Sequence, residues 1–271
     1  MKTKSMLNEL TKAFGLSAKA KLTQQPSGAV NHVYRLNDDC YPNHSEYQVR
    51  LPAAVKWLGN DDFSGVDRQQ QFKLQQAIAK LGAAPAPIWL NSSETLWVEQ
   101  WVEGNSGCLA PHDLATVLYE IHQLPVDAPA LNLWNRWQHY LDIANLTDES
   151  PLYQRAVNLK SDVQASEQDL TNVVLCHNDL LQGHVLTASQ RPPLIIDWEY
   201  AAKGNRYFDI ASCCMINKFS RDESEALVAA YATHIAAPVN EVFDNYYRHV
   251  ELVSVTNALW NSAMNKDQNP V

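Results

Sequence analysis

Nowhere in this 271-residue chain do eighteen uncharged apolar residues run together, so no segment is expected to span a bilayer. Basic residues are scarce: 21 Lys and Arg stand against 30 Asp and Glu, a formal net charge of −9. A chain so short of clustered cations is a poor match for a nucleic-acid backbone. The same charge suits a cationic small substrate, and equally suits a protein that only needs to stay soluble. Cysteines are few and odd in number, and Cys40, Cys108, Cys176, Cys213 and Cys214 lack metal-ligand spacing. They read as reduced, buried thiols of a cytoplasmic protein. Low-complexity tracts and repeats of solenoid period are absent. The first sixteen residues lack the unbroken apolar core of a secretory signal, since Asn8, Glu9 and Lys12 interrupt it.

What is present is ordinary globular composition, 46% hydrophobic and 19% charged, in two stretches of different character. Residues 1–15 have the spacing of a short amphipathic helix. Short β-type runs follow at 22–25, 33–36 and 47–51, with turn residues between them, as in an antiparallel meander. Apolar Phe72, Leu74, Ile78 and Leu81 predict a helix over 67–81 that stops at Gly82. Two more strands are expected at 88–90 and 95–102. The glycines in 103–107 mark a boundary, dividing the chain into lobes of residues 1–102 and 103–271. Beyond it, helices are expected at 111–123, 131–144, 152–164, 207–219, 223–236 and 239–264, interrupted by apolar runs at 173–176, 185–187 and 194–196. The fold class is therefore α+β, with a small antiparallel-sheet lobe followed by a larger, mostly helical one.

Chemistry concentrates in the interruption. Leu175-Cys176-His177-Asn178-Asp179 and Leu194-Ile195-Ile196-Asp197-Trp198-Glu199-Tyr200 each end a short apolar run on an aspartate. Phosphoryl transfer needs two rigid carboxylates, one to accept or orient the proton of an attacking hydroxyl and one to hold a divalent cation.

These strings resemble the catalytic loop and metal-binding segment of the aminoglycoside phosphotransferase and choline kinase superfamily, whose pattern reads His-x-Asp-x-x-x-x-Asn and later Ile-Asp-Trp or Phe-Glu-Tyr-Ala. Asn205 and Phe208-Asp209 continue the likeness, which is nearest to choline kinase-like and thiamine kinase-like members. The resemblance implies a bilobal, protein-kinase-like fold and a kinase that moves the γ-phosphate of ATP, with Mg2+, to a hydroxyl of a small, cationic, choline- or thiamine-like molecule. It implies Asp179 as catalytic base, Asp197 as metal ligand and His177 as a brace for the loop. It further implies nucleotide contacts from Ser27, Gly28 and Asn31 in a phosphate-covering loop, from Arg50 as phosphate clamp, and from a hinge of Glu99, Gln100 and Trp101. Glu199, Tyr200, Asp209 and Trp260 fall around the substrate.

Two positions depart from the pattern. His184 stands where the family has Asn, and imidazole nitrogen is a reluctant partner for Mg2+. Three readings of it stand: a donor to phosphate, a ligand for a softer ion such as Mn2+, or a mark of lost turnover. Gln71 stands where relatives carry a Glu that pairs with the phosphate clamp, and would give Arg50 a neutral hydrogen bond. These departures keep a second class open, a catalytically silent nucleotide-binding protein. A third reading is an antibiotic phosphotransferase. Trp260 is a candidate for a cation–π cage, while Trp134, Trp137 and Tyr140 look like a packing stripe.

Overall fold

The computed structural model describes residues 2–26, 32–41, 49–59, 62–188 and 191–268. They form two compact units, residues 1–61 with 67–104, and residues 62–66 with 105–271.

The first unit holds helix α1 (Lys2–Phe14), strands β1 (Lys21–Gln24), β2 (His32–Asn37) and β3 (Ala53–Trp57), helix α2 (Arg68–Lys80), and strands β4 (Pro87–Leu90) and β5 (Leu96–Gln100). The strands pair antiparallel in the order β1-β2-β3-β5-β4. In α1, Met6, Leu10 and Phe14 recur at every fourth position and so share one face. That face buries against Tyr34, Leu36, Ala53, Val55, Leu96 and Val98, the residues that alternation places on one side of the sheet. The intervening residues Lys56, Trp97 and Glu99 take the other side, against α2. There Phe72 meets Trp97 edge-on at 5.1 Å, and Gln75 Nε2 donates to Glu99 at 2.9 Å. Asp67 caps α2 by accepting from the Gln70 amide.

The second unit contains β6 (Asn105–Ser106), α3 (Pro111–His122), α4 (Leu133–Ile143), α5 (Pro151–Asn158), α6 (Lys160–Gln168), β7 (Val173–Cys176), β8 (Val185–Ala188), β9 (Arg191–Ile195), β10 (Ala202–Asn205), α7 (Arg206–Ile216), α8 (Arg221–His234) and α9 (Val239–Gln268). β8 and β9 form a hairpin with β6 on its edge, and β7 pairs antiparallel with β10. α3 packs on α8, and α9 runs along α4, α7 and α8. The helices start where chemistry says they should. Pro111 and Pro151 open α3 and α5, and Ser220 with Glu223 makes a capping box on α8. No helix among the described residues is long and apolar enough to cross a membrane.

Four expectations are corrected. Of the five cysteines expected to be buried, Cys40 and Cys108 are exposed. The third strand is 53–57 rather than 47–51; residues 49–52 precede it as coil and bend, and 47–48 lie outside the described residues. Ala53 and Val55 are fully buried, and that burial selects this run for the sheet. The helix expected over 152–164 is two helices that meet at Leu159, whose backbone has left helical geometry (φ −92°, ψ 3°). Strand β10 was not foreseen, because Ala-Lys-Gly-Asn carries no β-type pattern. It is a strand because β7 needs a partner, and its Gly204 leaves room where a Cβ would lie 3.3 Å from Leu131 Cδ2.

The α1 stripe gives a direct test. Leu10 is fully buried, so Leu10→Ala is expected to cost about 2–5 kcal/mol, read as a lower denaturant midpoint with an unchanged slope.

Candidate active site

In the second unit, the chain leaves β7 and at once makes a tight loop. Asn178 adopts the left-handed conformation (φ 65°), which asparagine tolerates better than most residues. Its Nδ2 donates to the Tyr200 carbonyl at 2.8 Å. The loop backbone is gripped from below by Asp209 on α7: Oδ2 accepts the His177 amide at 2.8 Å, and Oδ1 the Asn178 amide at 2.7 Å. Asn217 at the end of α7 adds two more ties, donating to the Leu180 carbonyl and accepting from the Gln182 amide, both at 2.9 Å.

His177 is fully buried and acts as a brace. Nε2–H donates to the Ile196 carbonyl at 3.1 Å, leaving Nδ1 to accept the Asp179 amide at 3.3 Å. One imidazole thus links the loop to the residue just before Asp197. Burial, and secondarily the charge of His184, pulls its pKa down to about 4. The ring of Trp198 covers it at 4.9 Å.

Asp197 follows β9 in a left-handed conformation (φ 67°), and the Ile196 amide before it donates to the His184 carbonyl at 2.9 Å. His184 closes the turn after Asp179: its Nδ1 lies 2.9 Å from the Asp179 carbonyl, and its Nε2 lies 3.5 Å from Asp197 Oδ2. Ligand-capable atoms of Asp179, His184 and Asp197 all fall within 4.8 Å of one another. Burial pushes the Asp179 carboxyl well above the usual carboxylate range, and the charges of Asp197, Glu199 and Asp209 push the same way.

Several expected residues have other duties. Asp209, expected around the substrate, is buried without solvent exposure; there it accepts His122 Nε2 at 3.1 Å besides the two loop amides. Burial alone would raise its pKa, but the His122 hydrogen bond and the charges of His122 and His177 outweigh it and hold the group below the usual range. His122 Nδ1 meets the Tyr231 hydroxyl at 2.6 Å. A second cluster of metal-capable groups, His122, Cys176 and Asp209, is thereby spent on internal hydrogen bonds, including Cys176 Sγ to the Gly204 carbonyl.

Trp260 Nε1 donates to the Tyr200 hydroxyl at 2.9 Å, and its ring meets Phe63 edge-on at 5.6 Å. The Arg136 guanidinium lies 5.7 Å from the Tyr200 ring centre, so that ring already has a cation. Glu199 is half-buried and contributes to the charge at Asp179.

In the first unit, Arg50 is exposed and precedes β3, and Gln71 gives its amide oxygen to Arg68 at 3.3 Å rather than to Arg50. The cation on the third strand is Lys56, almost fully buried and 3.4 Å from Glu99 Oε1. Glu99, expected to face adenine, is 3% exposed; its carboxylate also accepts Trp97 Nε1 at 2.8 Å and Gln75 Nε2 at 2.9 Å. Gln100 is exposed, and its amide donates to the Ala86 carbonyl at 2.9 Å. Trp101 lies under the Arg35 guanidinium at 4.8 Å. Ser27, Gly28 and Asn31 lie outside the described residues. The sequence reading missed Lys56, His122 and Tyr231. A lone lysine in an otherwise apolar run was a usable signal for the first, but nothing in the sequence links the other two to the loop.

The family model of the phosphotransferase enzyme family matches residues 21–244. The chain belongs to that family. Among curated proteins it is similar to the LicA homologue of Mycoplasma capricolum, 23% identical over 184 residues, covering 66% of this chain and 75% of that one. Among solved structures it is similar to choline kinase LicA from Streptococcus pneumoniae (TM-score 0.70, 14% identity, covering 99% of this chain and 92% of that one). It is also similar to LicA in complex with AMP (TM-score 0.70, 16% identity, covering 98% and 91%). These likenesses identify the fold as kinase-like.

The brace yields a pH test. His177 in the folded chain has a pKa of about 4, against about 6.5 when unfolded. Between these values the unfolded chain binds the extra proton, so stability falls as pH drops through that window, by up to about 3 kcal/mol. Unfolding of the metal-free protein between pH 7 and 4 should show this dependence, and His177→Asn should lose that part of it. At the far end of the network, Tyr231→Phe leaves His122 Nδ1 buried without its partner and is expected to cost about 1–3 kcal/mol, read in the same unfolding experiment.

Proposed function

We propose that this family member is an ATP-dependent kinase that phosphorylates the hydroxyl of a small cationic alcohol, of the choline or thiamine kind. The observation that carries the reading is the convergence of Asp179, His184 and Asp197 within 4.8 Å, on a loop whose backbone is fixed by Asp209 and His177.

In this reading the Asp179 carboxylate accepts the proton of the acceptor hydroxyl as the oxygen attacks the γ-phosphorus. The new oxygen–phosphorus bond forms, the bond from phosphorus to the β,γ-bridging oxygen breaks, and ADP leaves with that electron pair. The carboxylate of Asp197, with His184 beside it, would hold a divalent cation, which when bound would neutralise charge on the transferred phosphoryl group. Lys56, paired with Glu99, which Gln75 also holds, is the first unit's cation for nucleotide phosphate, in the role that the resemblance implied for Arg50. Gln100 and Trp101 are its hinge for adenine. A cationic acceptor accords with the carboxylates of Glu199 and Asp197 and with the net charge of −9.

One observation favours a different acceptor. Arg136 stands over Tyr200, with Nε and Nη1 buried and, among the described residues, without a hydrogen-bond partner, a setting that suits an alcohol bearing a carboxylate or phosphate. A panel containing choline, ethanolamine and thiamine beside anionic alcohols separates the two. For either acceptor, Asp179→Asn should lower kcat by at least about 100-fold while leaving nucleotide binding in place. Full turnover in that variant would remove Asp179 from the mechanism.

A further inference from the structure

His184 is one of the two residues that depart from the family pattern, and its geometry decides what that departure means. A backbone carbonyl can only accept, so the 2.9 Å contact between His184 Nδ1 and the Asp179 carbonyl requires the hydrogen on Nδ1. In the neutral ring, Nε2 then carries a bare lone pair. That lone pair faces Asp197 Oδ2 at 3.5 Å, and the oxygen too is an acceptor. Two such atoms can share a cation, whether a proton or a metal ion. The gap is longer than a direct hydrogen bond and within the reach of two metal–ligand bonds of about 2.1 Å each.

Other features point the same way. A ring nitrogen that donates to a backbone carbonyl is the usual support for a metal-binding imidazole, because it fixes the tautomer and aims the other nitrogen. The two residues are also tied through the main chain by the Ile196 amide and the His184 carbonyl at 2.9 Å. Their side chains keep 14% and 27% exposure, which leaves the site open to an ion. The contrast with the cluster of His122, Cys176 and Asp209 is direct: there both ring nitrogens are occupied, by Tyr231 and by Asp209.

Mg2+ prefers an all-oxygen shell, and an imidazole among its donors does not suit it. We propose that His184 Nε2 and Asp197 form a mixed nitrogen–oxygen centre that selects a divalent transition-metal ion, Mn2+ or a later one, over Mg2+. The position of the centre rests on the phosphotransferase reading, but its metal preference stands apart from any acceptor.

The test needs neither nucleotide nor acceptor. Mn2+ alone is added to the metal-free full chain and observed by pulsed electron paramagnetic resonance. Bound Mn2+ should show the 14N coupling of a directly ligated imidazole, and Mg2+ should compete with it poorly. In His184→Asn the coupling should vanish, and the preference for Mn2+ over Mg2+ should fall by at least about 10-fold. Should His184→Asn not fold, the coupling in the unmodified chain and its loss in Asp197→Ala decide the matter. Bound Mn2+ without 14N coupling, an unchanged preference in His184→Asn, or no Mn2+ binding at all each overturns the proposal. The kinase reading is judged separately, by turnover in Asp179→Asn.

Discussion

The Asp209 carboxylate sits out of contact with solvent and takes three hydrogen bonds, from the His177 and Asn178 amides and from His122 Nε2. An ionised carboxylate in such surroundings is stable only if its oxygens are fully engaged. Two of the three donors are main-chain groups of the loop that carries Asp179. The loop cannot drift without stripping a buried charge of its partners, a cost of several kcal/mol. The position of Asp179 is therefore a consequence of where α7 starts. α7 is started in turn by Asn205, which caps it by accepting the Tyr207 amide at 3.0 Å.

Much of this arrangement was legible in the sequence, because the signals were local. Strands β7 and β8 and helices α1, α2, α3 and α9 each announce themselves by period, cap or stop residue, and each stands near its expected bounds. Asp179 and Asp197 could be singled out because both follow short apolar runs. What the sequence could not show depends on distant partners. β10 is defined by β7 rather than by its own residues, and Asp209 reads as a first-turn acid of α7 until His122 and the loop amides are seen around it. The third strand was placed one run too early because residues 47–51 and 53–57 are both short and apolar enough, and only burial chooses between them.

That choice has a consequence for charge. Alternation along β3 turns Ala53 and Val55 towards α1 and Lys56 towards α2. Lys56 then needs a carboxylate, and α2 offers glutamines at the candidate positions, Gln71 and Gln75. Glu99 on the neighbouring strand supplies the charge, and Gln75 helps to hold it. A neutral residue on α2 is thus no sign of a missing ion pair. The pair runs from strand to strand, and the helix contributes the hydrogen bond that orients it.

His177 and His184 show why residue type alone settles little at such a site. Their rings lie 6.0 Å apart and carry their hydrogens on different nitrogens. Nε2–H of His177 donates to the Ile196 carbonyl while Nδ1 accepts the Asp179 amide. Both of its nitrogens are therefore spent on the protein itself, and full burial keeps the ring neutral. His184 donates through Nδ1 to the Asp179 carbonyl and leaves Nε2 turned towards Asp197. Both rings grip the Asp179 backbone, one at its amide and one at its carbonyl. The closed ring can serve only as a brace, whereas the open one adds a nitrogen lone pair to a group of carboxylates.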